Sequence, residues 1–449
     1  MHKKYITMGI IFLLIGTSIL PIVPSQQASF TLVITVPGAL AEPKSKNIQA
    51  LFDGDEAFSQ IEALCDFGPR VAGTSAEADA ADYIAAEMES YGLDVEIQEF
   101  DIIYFEELSP PELEQVSPNP TVYEVDTDFA TMDYSGSGDV TAALQAVDLD
   151  MPPTSNSTSG CEPADFVGFT PGNIALIQRG TCYYSTKALN AQAAGAVGVI
   201  IFNEGNIPDR EPLMYGTLGG PGVNIPAQSA SYALGQDLYS LSLAGPVEMH
   251  MFVDTITEER TSQNVIGTLE GLQPEQGIVY IGGHYDSVSG APGANDDASG
   301  VAATLEAARV LSAKGHRTKA TLKFIAFGAE EIGLDGSYWY VVENYDEVSS
   351  MGLGMVNLDM IGVGAILQIG NIDYGILGTG GNQLKDYAQQ KATAMGMPWE
   401  SFVAGENSDH TYFEQVGVPA AFITQRDDPY YHTPEDTPDK IQVDTLEAN

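Results

Sequence analysis

Apolar residues at Ile48, Leu51, Phe52, Phe58, Ile61 and Leu64 recur at helical spacing and predict a helix over residues 48–65. A loop, GPRVAGT, follows at residues 68–74. A second helix is predicted over 75–91, with Gly92 placed to stop it. Residues 93–103 alternate apolar and polar positions, as a half-buried strand does. Residues 48–110 are too one-sided to close a core alone, so this unit is expected to pack on a later part of the chain. Four prolines within residues 108–120 predict a linker.

From residue 121 to 255 the texture changes to short strands rich in Gly, Ser and Thr. Inside it, residues 173–205 read as strand, turn, helix and strand. Lys187 and Asn190 read as surface positions of that helix. From residue 264 strands and helices alternate, which predicts an α/β domain with a mainly parallel mixed sheet and helices on both faces. Strands are predicted at 264–269, 278–283, 321–327, 353–360, 365–369 and 420–424, and helices at 298–313, 337–344 and 381–395. The β-rich segment therefore interrupts one larger domain.

The amino-terminal pattern is different. Lys3 and Lys4 precede a mostly apolar run from Tyr5 to Val23, as in a secretory signal peptide. Gly16, Thr17, Ser18 and Pro21 interrupt that run, which argues against a membrane span. Residues 1–41 are read as the signal, with Ala39-Leu40-Ala41 as one cleavage point. Export to a secreted or periplasmic location permits a disulfide, and Cys161 and Cys182 flank one compact segment as the candidate pair. Cys65 is left as a buried thiol, and Asn156-Ser157-Thr158 forms a glycosylation sequon.

Charge sharpens the picture. The 449 residues hold 18 Lys+Arg against 62 Asp+Glu, a net −44. Such a chain lacks the basic face that binds nucleic acid or an anionic membrane.

The chemistry-bearing residues cluster late, each at a predicted strand end or turn. His284, Asp286, Asp296 and Asp297 lie in GGHYDSVSGAPGANDDASG, residues 282–300. Glu330 and Glu331 lie in FGAEEIGLDGS, Asp359 in NLDMIG and His432 in YHTPEDT. Two His, two Asp and one or two Glu suit zinc, or less selectively cobalt or manganese. With two metals ~3.5–4 Å apart, one carboxylate must bridge them. Adjacent residues of a turn point apart, so one of Glu330 and Glu331 faces the metals while the other is free to act as a base. Asp297 reads as a loop or helix-cap residue. His250, His316 and His2 read as structural, and Ser408-Asp409-His410 as loop structure near the site.

This motif set resembles zinc metallopeptidase family 28, the di-zinc aminopeptidases of the aminopeptidase Y and bacterial leucyl aminopeptidase type. The resemblance covers residues 48–110 and 256–440. The segments IALIQRG, KALNAQAAGA and GVIIFN resemble the protease-associated domain, taken as residues 121–255, with 256–449 the main part of the peptidase. By resemblance, His284, Asp296 and Asp359 share one of two zinc ions, with Asp296 bridging. Asp296, Glu331 and His432 share the other. Glu330 matches the general base acting on metal-activated water, Asp286 the residue that holds His284, and Tyr431 a tyrosine that steadies the oxyanion.

The resemblance implies a secreted aminopeptidase acting on peptides with a free amino terminus, and no membrane attachment after signal cleavage. A carboxypeptidase would need cations for a terminal carboxylate, and Arg426 stands alone over residues 400–435. A glutaminyl cyclase of the same fold and a non-catalytic binding protein are the other readings. Two positions depart from the family pattern. SDH lacks the Arg that some members place beside it, and a final helix is expected to extend further than residues 444–449.

Overall fold

A computed structural model describes residues 51–152, 157–313, 317–372 and 381–443. Residues 1–41, read above as a signal, His2, His316, Asn156 of the sequon and residues 444–449 lie outside them. Two helices open the described chain. Asp53 caps α1 (Gly54–Cys65), its carboxylate accepting from the Asp55 and Glu56 amides, and Ala57, Ile61 and Leu64 face the core. Thr74 caps α2 (Ser75–Ser90), which buries Ala80, Ala81, Ile84 and Met88. Gly92 follows at φ +85°, the left-handed end that glycine tolerates.

The next element corrects the expected linker. β1 (Asp94–Ser117) continues as a strand through residues 108–117. It pairs antiparallel with β8 (Glu248–Leu269) over nearly its whole length. Pro110 and Pro111, which have no N–H for the ladder, fall where the register shifts between Ser109 and Glu112. A bulge therefore absorbs the prolines, and composition alone hid the strand.

Between these two strands the β-rich unit forms its own sheet. After β2 (Thr121–Val122) come β3 (Phe129–Thr131), β4 (Gly138–Ala146) and β5 (Ile174–Gln178). Helix α3 (Tyr184–Ala193), β6 (Gly198–Phe202), β7 (Ala227–Ala230) and α4 (Tyr232–Ala244) complete it. β4, β5, β6 and β7 run parallel in that order. β5 and β6 are buried at every position, as continuous apolar runs covered on both faces should be. Cys161 and Cys182 are disulfide-bonded. Lys187 departs from expectation: it is fully buried, its ammonium donating to the Ser159 carbonyl. Burial pulls its pKa down to about 8.

The larger domain follows: β9 (Ile278–His284), α5 (Ser299–Ser312), β10 (Thr321–Phe327), α6 (Asp335–Glu343), α7 (Tyr345–Met351) and β11 (Gly352–Leu358). It ends with β12 (Leu367–Asn371), α8 (Gln383–Met395), β13 (Trp399–Val403), α9 (His410–Gln415) and β14 (Ala420–Thr424). The sheet runs β13-β12-β14-β11-β9-β10-β8, with β1 on the far side of β8. Its centre, β14-β11-β9-β10, is parallel. Leu322, Phe324 and Ala326 of β10 pack under α1, α2 and α5, while Ile325 and Phe327 meet Tyr340, Val341, Val348 and Phe413 on the opposite face. The two helical layers thus follow from strict alternation along one strand. Three short elements, α7, β13 and α9, were not legible as such in the sequence. Among the described residues no helix is long and apolar enough to cross a membrane.

Phe324 is fully buried, so Phe324→Ala should destabilise the fold by about 3–5 kcal/mol. Urea unfolding monitored by far-UV circular dichroism checks this, and a loss below about 1 kcal/mol would contradict the packing described.

Candidate metal centre

The parallel strands β9, β10 and β11 all end at one edge of the sheet, and that edge collects the donor groups. His284 is the last residue of β9. Glu330 and Glu331 follow β10, and Asp359 follows β11. Asp296 comes from the loop before α5, and His432 from the turn beyond β14. Three residues here are held in the left-handed region without being glycine: Ala329 just before Glu330, Met360 just after Asp359, and His432 itself. Each such conformation costs of order 1–3 kcal/mol, and clustering of this kind marks functional sites. A Cβ on Gly283 or Gly300 would collide with the Leu358 carbonyl and the Asp297 carboxylate. Glycine there lets the ligand-bearing segments close together.

Asp296 lies at the centre. Its Oδ1 is 3.1 Å from His284 Nε2, and its Oδ2 is 3.1 Å from His432 Nε2. Asp359 Oδ1 lies 3.9 Å from His284 Nε2. Glu331 Oε2 lies 3.1 Å from His432 Nε2. Two donor groups therefore share one carboxylate. Glu330 Oε2 is 3.9 Å from His284 Nε2 and lines the adjoining cavity with Asp296 and Asp359.

Asp286 does more than face His284 Nδ1, 3.4 Å away. Its two oxygens accept from the backbone amides of Glu330 and Glu331, at 3.1 and 3.2 Å. One buried carboxylate thereby fixes three neighbours. Asp297 accepts from the Gly300 amide at 2.8 Å and the Met360 amide at 3.0 Å, the cap-like role expected of it, and is also near His284 and Asp359. Tyr431 is half exposed, and its ring lies 3.7 Å from that of His432. Burial and then Asp296, Glu331 and Glu330 push its hydroxyl up, keeping it a proton donor.

Several supporting residues escaped sequence reasoning. Arg70, fully buried, donates to the Tyr285, Pro292 and Gly293 carbonyls, clamping both ends of the loop that leads to Asp296. Asp436 accepts from the Asn295 and Asp296 amides. Ser408, already read as loop structure near the site, donates to Asp359 Oδ2 at 2.6 Å. Arg70 stood inside GPRVAGT and Asp436 inside YHTPEDT, but nothing local revealed their distant partners. His410 opens α9, buried and stacked on Phe422. His250 pairs with Asp139 on the β-rich unit.

The charges at the centre do not balance. Burial, with help from Asp359, Asp409 and Glu331 and against His284, drives Glu330 well above the carboxylate range. Burial, then Asp296, raises Glu331 to about 7. Burial would raise Asp296 too, but its bonds with His284 and His432 hold it near 2. Burial opposes the charging of His432, yet its bonds to Asp296 and Glu331 carry it to about 10. The buried Glu331 Oε1 has no hydrogen-bond partner. A surplus of buried oxygen and imidazole donors with an orphaned acceptor fits divalent cations. Beside the donors lies a cavity of about 330 Å³, lined by Asp296, Glu330, Asp359, Asp428, Arg426 and Tyr431 among others.

The chain is similar to known aminopeptidases. The aminopeptidase YwaD of Bacillus subtilis is 34% identical over 458 residues, covering 100% of this chain and 91% of that protein. The profile of Peptidase family M28 matches residues 264–449, and that of the PA domain residues 140–238. The chain belongs to peptidase family M28. A Pseudomonas aeruginosa aminopeptidase is 39% identical over 68% of this chain, a stretch that spans only 56% of the relative. Among solved structures, an aminopeptidase from Aneurinibacillus sp. strain AM-1 superposes with a TM-score of 0.73 at 34% identity. It covers 89% of this chain and 92% of its own. BSAP, a zinc aminopeptidase from Bacillus subtilis, gives 0.65 at 32%, covering 88% and 92%. This M28 chain thus carries both the fold and the protease-associated unit expected.

Two outcomes follow. Arg70→Met removes the clamp and leaves buried carbonyls unpartnered, which should lower stability by about 3 kcal/mol or more in urea unfolding, and unchanged stability would contradict the clamp. Binding of a divalent metal at pH 7 should release protons, with affinity rising as pH rises, because His432 must lose one. Calorimetric heats identical across buffers of different ionisation enthalpy would contradict this. The sign for stability is opposite. His432, raised from 6.5 to about 10, contributes stability fully present below pH 6.5 and lost as pH climbs through 10.

Proposed function

We propose that this M28 chain is a secreted zinc aminopeptidase with two metal ions, residues 1–41 being its export signal and residues 121–255 its protease-associated domain. The observation that carries the reading is Asp296, each of whose oxygens lies 3.1 Å from a different histidine. His284, Asp296 and Asp359 would hold one ion, and Asp296, Glu331 and His432 the other. When bound, zinc supplies a Lewis acid that polarises the scissile carbonyl and makes water a nucleophile near neutral pH.

The chain's own residues do the rest. Glu330, largely but not fully buried at the cavity wall, takes the proton of the attacking water and passes it to the leaving amine. The Tyr431 hydroxyl donates to the oxygen that gains charge as water adds to the carbonyl. Asp286 acts at one remove, orienting His284 and fixing the Glu330 and Glu331 backbone. Four carboxylates against one guanidinium line the cavity, which favours a substrate's cationic α-amine over a terminal carboxylate. That balance ranks an aminopeptidase above a carboxypeptidase.

Purified protein should hydrolyse leucyl p-nitroanilide but not its N-acetyl counterpart, lose the activity on chelation and regain it with zinc. Glu330→Gln should lower kcat about 10²–10⁴-fold, and Tyr431→Phe about 10²-fold. Hydrolysis that survives exhaustive chelation, or an unimpaired Glu330→Gln variant, would overturn the mechanism.

A further inference from the structure

We propose that Arg426 recognises a carboxylate of the ligand, carried either by the side chain of the residue with the free amine or by a main-chain carboxyl group. The inference rests on the aminopeptidase reading above and extends it to substrate choice. Arg426 follows β14 and is the one cation among the residues lining the cavity that also holds Asp296, Glu330 and Asp359.

Its surroundings are unusual for so acidic a chain. Arg210, Arg260 and Arg309 each pair with a glutamate: Glu204, Glu258 and Glu306. Arg426 has no such pair among the described residues. Its guanidinium instead lies 4.8 Å from the ring centroid of Phe402 and 5.9 Å from that of Phe422. With the Asn407 amide turned to donate to the Gly405 carbonyl, Asn407 Oδ1 accepts from Arg426 at 2.9 Å. Asp428, the nearest carboxylate in sequence on the cavity wall, is engaged elsewhere. It accepts from Asn295 Nδ2 and from the Tyr430 amide, both at 2.8 Å.

Two aromatic rings and one amide therefore hold a planar cation in place while using one of its five N–H donors. The remaining fork is free to take a carboxylate in bidentate fashion, a geometry an ammonium cannot copy. Every other charged side chain on the cavity wall is an acid, so Arg426 is the one lining side chain that offers an entering carboxylate a counter-charge.

Calorimetric titration of the zinc-loaded chain with three probes separates the sources. Leucinol has no carboxylate, leucine has one on the main chain, and 4-amino-5-hydroxypentanoate has one on the side chain. Arg426→Gln should weaken at least one carboxylate probe about tenfold or more beyond any effect on leucinol, and Arg426→Lys should weaken it less. Asn407→Asp, which gives the guanidinium an internal partner, should weaken the same probe. Selective loss of leucine assigns the main-chain group, and selective loss of the pentanoate the side-chain group. Equal effects on all three probes overturn the proposal. Hydrolysis of leucyl p-nitroanilide by the unaltered chain is measured alongside: its absence contradicts the aminopeptidase reading, while the probe comparison decides the role of Arg426.

Discussion

Asp286, Asp296, Asp359, Glu330 and Glu331 share one buried edge of a parallel sheet, and mutual repulsion is the constraint that shapes their surroundings. Burial, and two imidazoles that cannot neutralise five carboxyl groups, leave Glu330 and Glu331 holding protons above the usual carboxylate range, while Asp296, bonded to both histidines, is held near 2. The chain keeps the acids together by giving them backbone partners. Asp286 is pinned by the Glu330 and Glu331 amides, and Asp297 by those of Gly300 and Met360. Asp436 in turn holds the Asp296 amide. Strained backbone at Ala329, Met360 and His432 is tolerated because that web of bonds over-determines it.

The scaffold explains how distant segments reach the same edge. Helices α1, α2 and α5 cover one face of the sheet and α6, α7 and α9 the other, leaving the carboxyl ends of β9, β10 and β11 open. Arg70 ties the first loop of the chain to the loop that carries Asp296, across more than 200 positions of sequence. The ribbon of β1 and β8 belongs to both sheets. Its β8 strand pairs with β10 at one end and with β4 of the protease-associated unit at the other. That unit therefore grows from the peptidase sheet without a flexible tether.

Much of this was legible in advance because hydrophobic period and chemistry coincide. β10 and β14 fall within their predicted bounds, and the donor residues sit at strand ends where a parallel sheet gathers them. The failures have physical causes. Proline composition hid the second half of β1, because a bulge let Pro110 and Pro111 stay in a paired strand. Lys187 read as surface because a polar residue on a helix usually is, whereas here a loop carbonyl waits for its ammonium. Edge strand β13 exposes most of its residues, and its sequence WESFV lacks the alternation of a half-buried strand. Arg70 and Asp436 depend on partners far away in sequence, which no local pattern encodes.

The central claim is that Asp296 joins two metal ions. Crystals grown with zinc and measured on either side of the zinc absorption edge test it directly. The account predicts two anomalous peaks about 3.5–4 Å apart, one at each Asp296 carboxylate oxygen. One would lie against His284 and Asp359, the other against Glu331 and His432. A single peak, or two that do not share Asp296, would contradict it.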